Sequence, residues 1–113
     1  MTFFDSEIVR AEMAEISELQ EDVYSNVMKF HYMNDEDKCY HINLLDKLIG
    51  KQKILYARLS LSDDPAAKQM KEDIQKSATI MGLPNNVDMN SIFTQMSQMV
   101  DLMKKQLDMN EVD

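Results

Sequence analysis

The sequence predicts an all-α fold of four helices, on three observations. Only 2 Gly and 2 Pro occur among 113 residues, too few for the many tight turns of an all-β chain. Apolar residues recur at spacings of three and four rather than alternating. Met, a good helix former, supplies 11 residues and Trp none. The predicted helices cover residues 5–31, 35–60, 65–81 and 88–107. The first two form a long antiparallel hairpin, packed with two shorter C-terminal helices in one domain over 1–113, with 108–113 as a frayed tail.

The first helix is expected to start at Asp5, whose carboxylate can accept from the orphan N–H groups of the first turn. Phe4 and Val9 stand at the spacing of a hydrophobic staple. Val9, Ile16, Val23 and Phe30 repeat every seven residues, widened by Met13, Leu19 and Val27. Glu12, Glu15, Glu18 and Asp22 line the outside. Asn34 is the expected cap of the second helix, with Asp35, Glu36 and Asp37 at its positive pole. A connection this short makes the two helices a hairpin.

The second helix organises the rest. Ile42, Leu45, Leu48, Ile49, Leu55, Tyr56 and Leu59 form one stripe, and Lys47, Lys51, Lys53 and Arg58 fill much of the remainder. Gly50 in its middle costs roughly 1 kcal/mol against Ala, which suggests close approach of a neighbouring helix. Pro65 opens the third helix with Asp64 or Ser62 as cap. Ala67, Met70, Ile74, Ala78 and Met81 give it a thin stripe. Gly82 is the expected C′ residue, with Leu83 folding back and Pro84 blocking continuation. Asp88 or Asn86 caps the last helix, whose seam is Met89, Ile92, Phe93, Met96, Met99, Val100, Met103 and Leu107.

Charge narrows the function. The net charge is −8, and residues 1–38 hold ten acids against three bases. Such a chain is not expected to bind nucleic acid through its phosphates, and a basic protein surface suits it better. The single cysteine, Cys39, excludes an internal disulfide and fits a reducing cytoplasm. The start lacks the features of a signal peptide, and no apolar run approaches the ~20 residues of a membrane span.

The opening Phe3-Phe4-Asp5-Ser6-Glu7-Ile8-Val9 resembles the start of a small family of uncharacterised proteins of cyanobacteria and the phages that infect them. Leu59-Ser60-Leu61-Ser62-Asp63-Asp64 and Met81-Gly82-Leu83 fit the same family. The similarity covers about residues 2–107, with a longer loop at 84–88 and a divergent stretch at 29–40. The family carries no assigned activity, so the resemblance implies a setting and no site: the cytoplasm of a photosynthetic bacterium or its phage.

Chemistry in the residues is thin. Helical bundles build metal sites from inward carboxylates and histidines, and Glu15, Asp37 and His41 are the only nominees here. Two Glu-x-x-His motifs are absent, so a solvated helix N-terminus explains Asp37 better. Cys39 has His41 two residues away, on another side of the helix, and the neighbouring acids raise a thiol's pKa. No phosphate-binding Gly-rich loop and no nucleophile elbow occur. The chain therefore reads as no enzyme, with no cofactor.

Two surfaces remain for a protein partner: the acidic first helix (Glu15, Glu18, Asp22) and the Met stripe (Met96, Met99, Met103), which also reads as plain core. The expected role is a non-catalytic adaptor or regulator that binds a host protein. The alternatives are a carboxylate and histidine metal-binding bundle or a phage structural protein. Surplus seam on the first and last helices predicts a homodimer, with Ile16, Val23, Met96 and Met103 as its first contacts.

Overall fold

In the computed structural model, residues 3–80, 82 and 88–112 are described, except for the side chains at 77, 78 and 108–112. They form four helices, α1 (Glu7–Val27), α2 (Asp35–Leu61), α3 (Pro65–Ile80) and α4 (Met89–Val112), with short 3-10 turns at Phe3–Asp5 and Phe30–Tyr32. No strand occurs among the described residues.

The caps explain where the helices begin. Asn34 Oδ1 accepts from the Asp37 N–H at 2.8 Å, and Asp64 Oδ1 accepts from the Ala66 N–H at 2.9 Å, just ahead of Pro65. Asp88 Oδ1 accepts from the Asn90 N–H at 3.0 Å. At α1 the expectation is corrected: Ser6, not Asp5, is the cap, its Oγ accepting from the Val9 N–H at 3.4 Å. Asp5 ends a 3-10 turn and pairs instead with Arg10 at 3.5 Å, so the helix starts one residue later. Gly82 has φ 102°, the left-handed value that glycine adopts without strain after a helix. The roles expected of Met81, Leu83, Pro84 and Asn86 fall outside the described residues, as does the side chain of Ala78.

Two helices end elsewhere than predicted. α1 stops at Val27, and Val27 itself is half exposed, because the chain turns away through Phe30–Tyr32 before the seam reaches α2. Phe30 then packs on the other side of α2, against His41. α4 runs to Val112, over 24 residues, and is not shorter than the 21-residue α1. No Gly or Pro interrupts 108–112, and Leu107 is buried, so nothing halts the helix at 107.

Packing divides on two sides of α2. Val9, Ile16, Leu19 and Val23 of α1 meet Leu48 and Leu55. Met89, Phe93, Val100 and Leu107 of α4 meet Ile42, Ile49 and Tyr56. Leu45, between the two stripes, touches both clusters. At about 100° per residue, Leu48 and Ile49 point about 100° apart, so α1 and α4 sit on different faces of α2. Among the described residues they scarcely meet each other.

Ion pairs set the directions. Glu15 pairs with Lys51, and Glu12 with Arg58 at 3.1 Å, so α1 runs antiparallel to α2. Asp46 pairs with Lys104 at 2.9 Å, while Tyr56 meets Phe93 at 5.9 Å, so α4 also runs antiparallel to it. α3 folds back over the end of α2, where Gln75 Nε2 donates to the Tyr56 hydroxyl at 3.3 Å. The assembly is a shallow V with α2 at its vertex, 54 × 32 × 21 Å.

Gly50 corrects a further expectation. A Cβ at this position would meet nothing within 4 Å, so none of the described helices approaches it closely. Ile16 and Val23 are buried against α2 and are not available to a second copy.

Candidate functional site

The C-terminal half of α1 turns a face away from α2. Ile16, Leu19 and Val23 are taken up by the seam, so the residues between them point outward. Glu18, Glu21 and Asp22 are exposed there and form no ion pair among the described residues. Tyr24 on the same helix, Met28 at its C-cap and Tyr32 in the turn that follows are 66%, 83% and 91% exposed. Tyr and Met supply apolar contact area with a polar or polarizable handle, which is why they recur at interfaces.

Electrostatics sharpens this face. A helix C-terminus carries partial negative charge and favours cations nearby. The last turn of α1 holds no base. Between residues 18 and 37 six acids stand against Lys29 alone. Asp35, Glu36 and Asp37 are suited to the positive pole of α2, whereas Glu18, Glu21 and Asp22 lie inside α1, more than a turn from either pole. The end of the molecule that carries the α1–α2 connection therefore presents a negative field around exposed aromatic and thioether groups.

The partner-binding nominees separate in the structure. Glu18 and Asp22 lie on this face. Glu15 is engaged within the chain, and its bond to Lys51 holds its carboxyl below the usual range. Met96 and Met103 are partly buried against the α2–α4 core, while Met99 is 63% exposed beside Leu102 at 58%. Tyr24, Met28 and Tyr32 escaped the sequence reading. Tyr24 and Met28 are four apart and off a seam already complete without them, which was the available signal.

The metal nominees do not converge. Among the described residues no three His, Cys, Asp or Glu side chains are grouped to hold an ion. Asp37 is exposed at the start of α2. His41 is buried, its ring 5.4 Å from that of Phe30, and burial lowers its pKa. Its Nδ1 has no hydrogen-bond partner. Cys39 is half-buried against the α2–α4 core. No helix among the described residues is long and apolar enough to cross a membrane.

A family model, the domain of unknown function DUF1825, matches residues 1–107. The chain belongs to the DUF1825 family. The match takes in all of α1, α2 and α3 and most of α4, so the acidic face and both core clusters of this DUF1825 chain lie within it. No curated protein and no solved structure matches the DUF1825 chain.

Proposed function

We propose that this chain is a non-catalytic helical adaptor that offers the C-terminal half of α1 to a protein with a basic surface. One observation carries the reading. Glu18, Glu21 and Asp22 line the outward face of the C-terminal half of α1, whose last turn holds no base, and Tyr24, Met28 and Tyr32 follow them with exposed side chains. A chain folding for stability alone gains nothing from that placement. A cationic partner relieves the field, and the aromatic and thioether groups supply apolar contact. The family carries no assigned activity, and the resemblance supplies the setting: the cytoplasm of a cyanobacterium, or of one infected by a phage.

Met99 and Leu102 make a second exposed apolar spot, on α4, and set the alternative surface. Affinity capture from a cyanobacterial lysate separates the two. Glu18→Lys/Asp22→Lys is expected to lose the partner, and raised salt to weaken capture by the native chain. Loss with Met99→Glu and indifference to salt moves the site to α4. Capture unchanged by every variant removes the adaptor reading.

A further inference from the structure

The connection between α1 and α2 is fastened to the body of the molecule through one ring. Met28, Lys29, His31 and Tyr32 are exposed, and the 3-10 turn Phe30–Tyr32 buries no residue fully. Phe30 is the residue of this turn that packs against the α2–α4 core. Its ring centroid lies 5.4 Å from that of His41, and the Lys38 ammonium stands 5.5 Å from it. Backbone bonds from the N–H groups of Lys29, Tyr32 and Met33 to the carbonyls of Asn26, Lys29 and Phe30 close the turn, at 3.0, 2.9 and 3.2 Å.

His41 is the odd partner in that contact. It is 5% exposed, the only buried polar side chain among the described residues, and its Nδ1 has no hydrogen-bond partner. It continues the stripe of Leu48 and Leu55 at seven-residue spacing, where a leucine would pack with no polar atom to satisfy. A neutral imidazole leaves one nitrogen orphaned. An imidazolium carries a donor on both nitrogens. Protonation therefore puts a buried charge where a donor finds no acceptor, beside a ring that already holds the Lys38 cation.

The charges around it do not relieve this. Among the described residues none forms an ion pair with His41. On its own helix Asp37 is exposed and Lys38 lies over Phe30. The connection brings Lys29 and His31, and the end of α1 brings Asp22, all exposed. Toward α4 stand Lys104, paired with Asp46, and Asp108, whose side chain lies outside the described residues.

We infer that His41 is a pH-sensitive latch: its protonation releases Phe30 and opens the connection between α1 and α2, while both core clusters stay packed. In the open form the imidazolium reaches water and the carboxylate of Asp37, four residues back on the same face of α2. Little else resists the opening, since the turn has no fully buried residue and its backbone groups can bond to water. Burial lowers the His41 pKa in the closed form. The open form thus takes up the proton first, and opening grows as pH falls. Met28 and Tyr32 belong to the segment that moves, but the inference does not rest on the adaptor reading and its test needs no partner.

Hydrogen exchange of the full chain, read amide by amide by NMR and referred to intrinsic rates, tests it at pH 7.5 and 5.5, about one unit to either side of the ordinary histidine value. The amides of Lys29, Tyr32 and Met33 are expected to lose protection several-fold at the lower pH. The limit is about tenfold for one proton taken up over that range. These amides should exchange faster than those of Leu48 and Val100 and ignore about 1 M urea, the mark of a local opening. The His41 ring should titrate with the same midpoint as their loss of protection. His41→Leu and His41→Phe are expected to remove the pH response and keep the helical circular dichroism of the native chain. His31→Ala, at the other and exposed histidine, should keep the response. Protection that does not change with pH overturns the inference. So does exchange of the connection only in step with Leu48 and Val100, or a response that survives both His41 variants or vanishes with His31→Ala. If neither His41 variant folds, the ring titration decides, because a midpoint apart from that of the amides overturns the latch.

Discussion

The backbone N–H of Phe3 donates to the carboxylate of Asp64, across 61 residues of sequence. The same carboxylate caps α3 through Ala66. Two of the stretches that carry the family resemblance, one ahead of α1 and one at the end of α2, thus meet at a single side chain. Both bonds favour its ionised form and hold its pKa below the usual carboxylate range. Asp64→Ala is expected to lower the melting temperature and to fray α3, whereas Asp63→Ala, on an exposed neighbour, leaves it nearly unchanged. Thermal melts by circular dichroism compare the two directly.

Acid should loosen the molecule in two stages. His41 is buried neutral, with its pKa lowered by desolvation. The unfolded chain therefore takes up the proton first, and stability falls as pH drops below about 6.5, the unperturbed value. Glu15 and Asp64 have lowered pKa values, so their contributions are present above the ordinary carboxylate range and are lost as pH falls through their folded values. Urea unfolding at pH 7.5 and 5.5, about one unit to either side of that histidine value, should show the first loss. His41→Leu should abolish it and leave the second.

Charge reversal on α1 should separate stability from binding. Glu21→Lys changes an exposed side chain more than a turn before the end of α1, so stability is expected to stay within about 0.5 kcal/mol. The same variant is expected to capture less partner. A variant that keeps its stability while losing capture identifies the acids as serving recognition. One that loses both points to a structural role for Glu21.

The two core clusters should respond separately to truncation. Val100 is 2% exposed between α4 and α2, and Ile16 is 7% exposed between α1 and α2. Ile16→Ala should cost about 2–5 kcal/mol. With Val100→Ala added, the effects should sum to within about 0.5 kcal/mol, because the two residues lie in separate clusters on different faces of α2. Equilibrium unfolding of the two single variants and the double variant measures this.

Much of α2 could be read from sequence because one helix concentrates the signal. Of its seven stripe residues six are buried, and Leu45 lies between the clusters. Asn34 was legible as a cap because a side-chain oxygen just before an apolar run has one obvious use. The sequence left Asp64 level with Ser62 and Asp88 level with Asn86, and the structure shows Asp64 and Asp88 accepting from first-turn N–H groups. Periodicity could not show that the stripe is two stripes, one for each flanking helix. It also could not place Val27, whose seam position is genuine but whose helix has ended. Sequence distinguished acids from bases on α1 but not paired from unpaired, since Glu15 and Glu18 differ only in what α2 brings beside them.

The position of α2 between its two flanks also has a consequence in time. Ile42, Ile49 and Tyr56 are covered by α4, which begins at Met89. On a ribosome adding about 5–20 residues per second, the first residue of that cover arrives about 2–7 seconds after Tyr56 does. α1, made first, can settle on its own side of α2 at once. For those seconds the nascent chain carries an uncovered apolar strip in the crowded space around the ribosome. It passes through synthesis half clothed, with exposure to chaperones and to neighbouring chains set by the order of its helices rather than by their final packing.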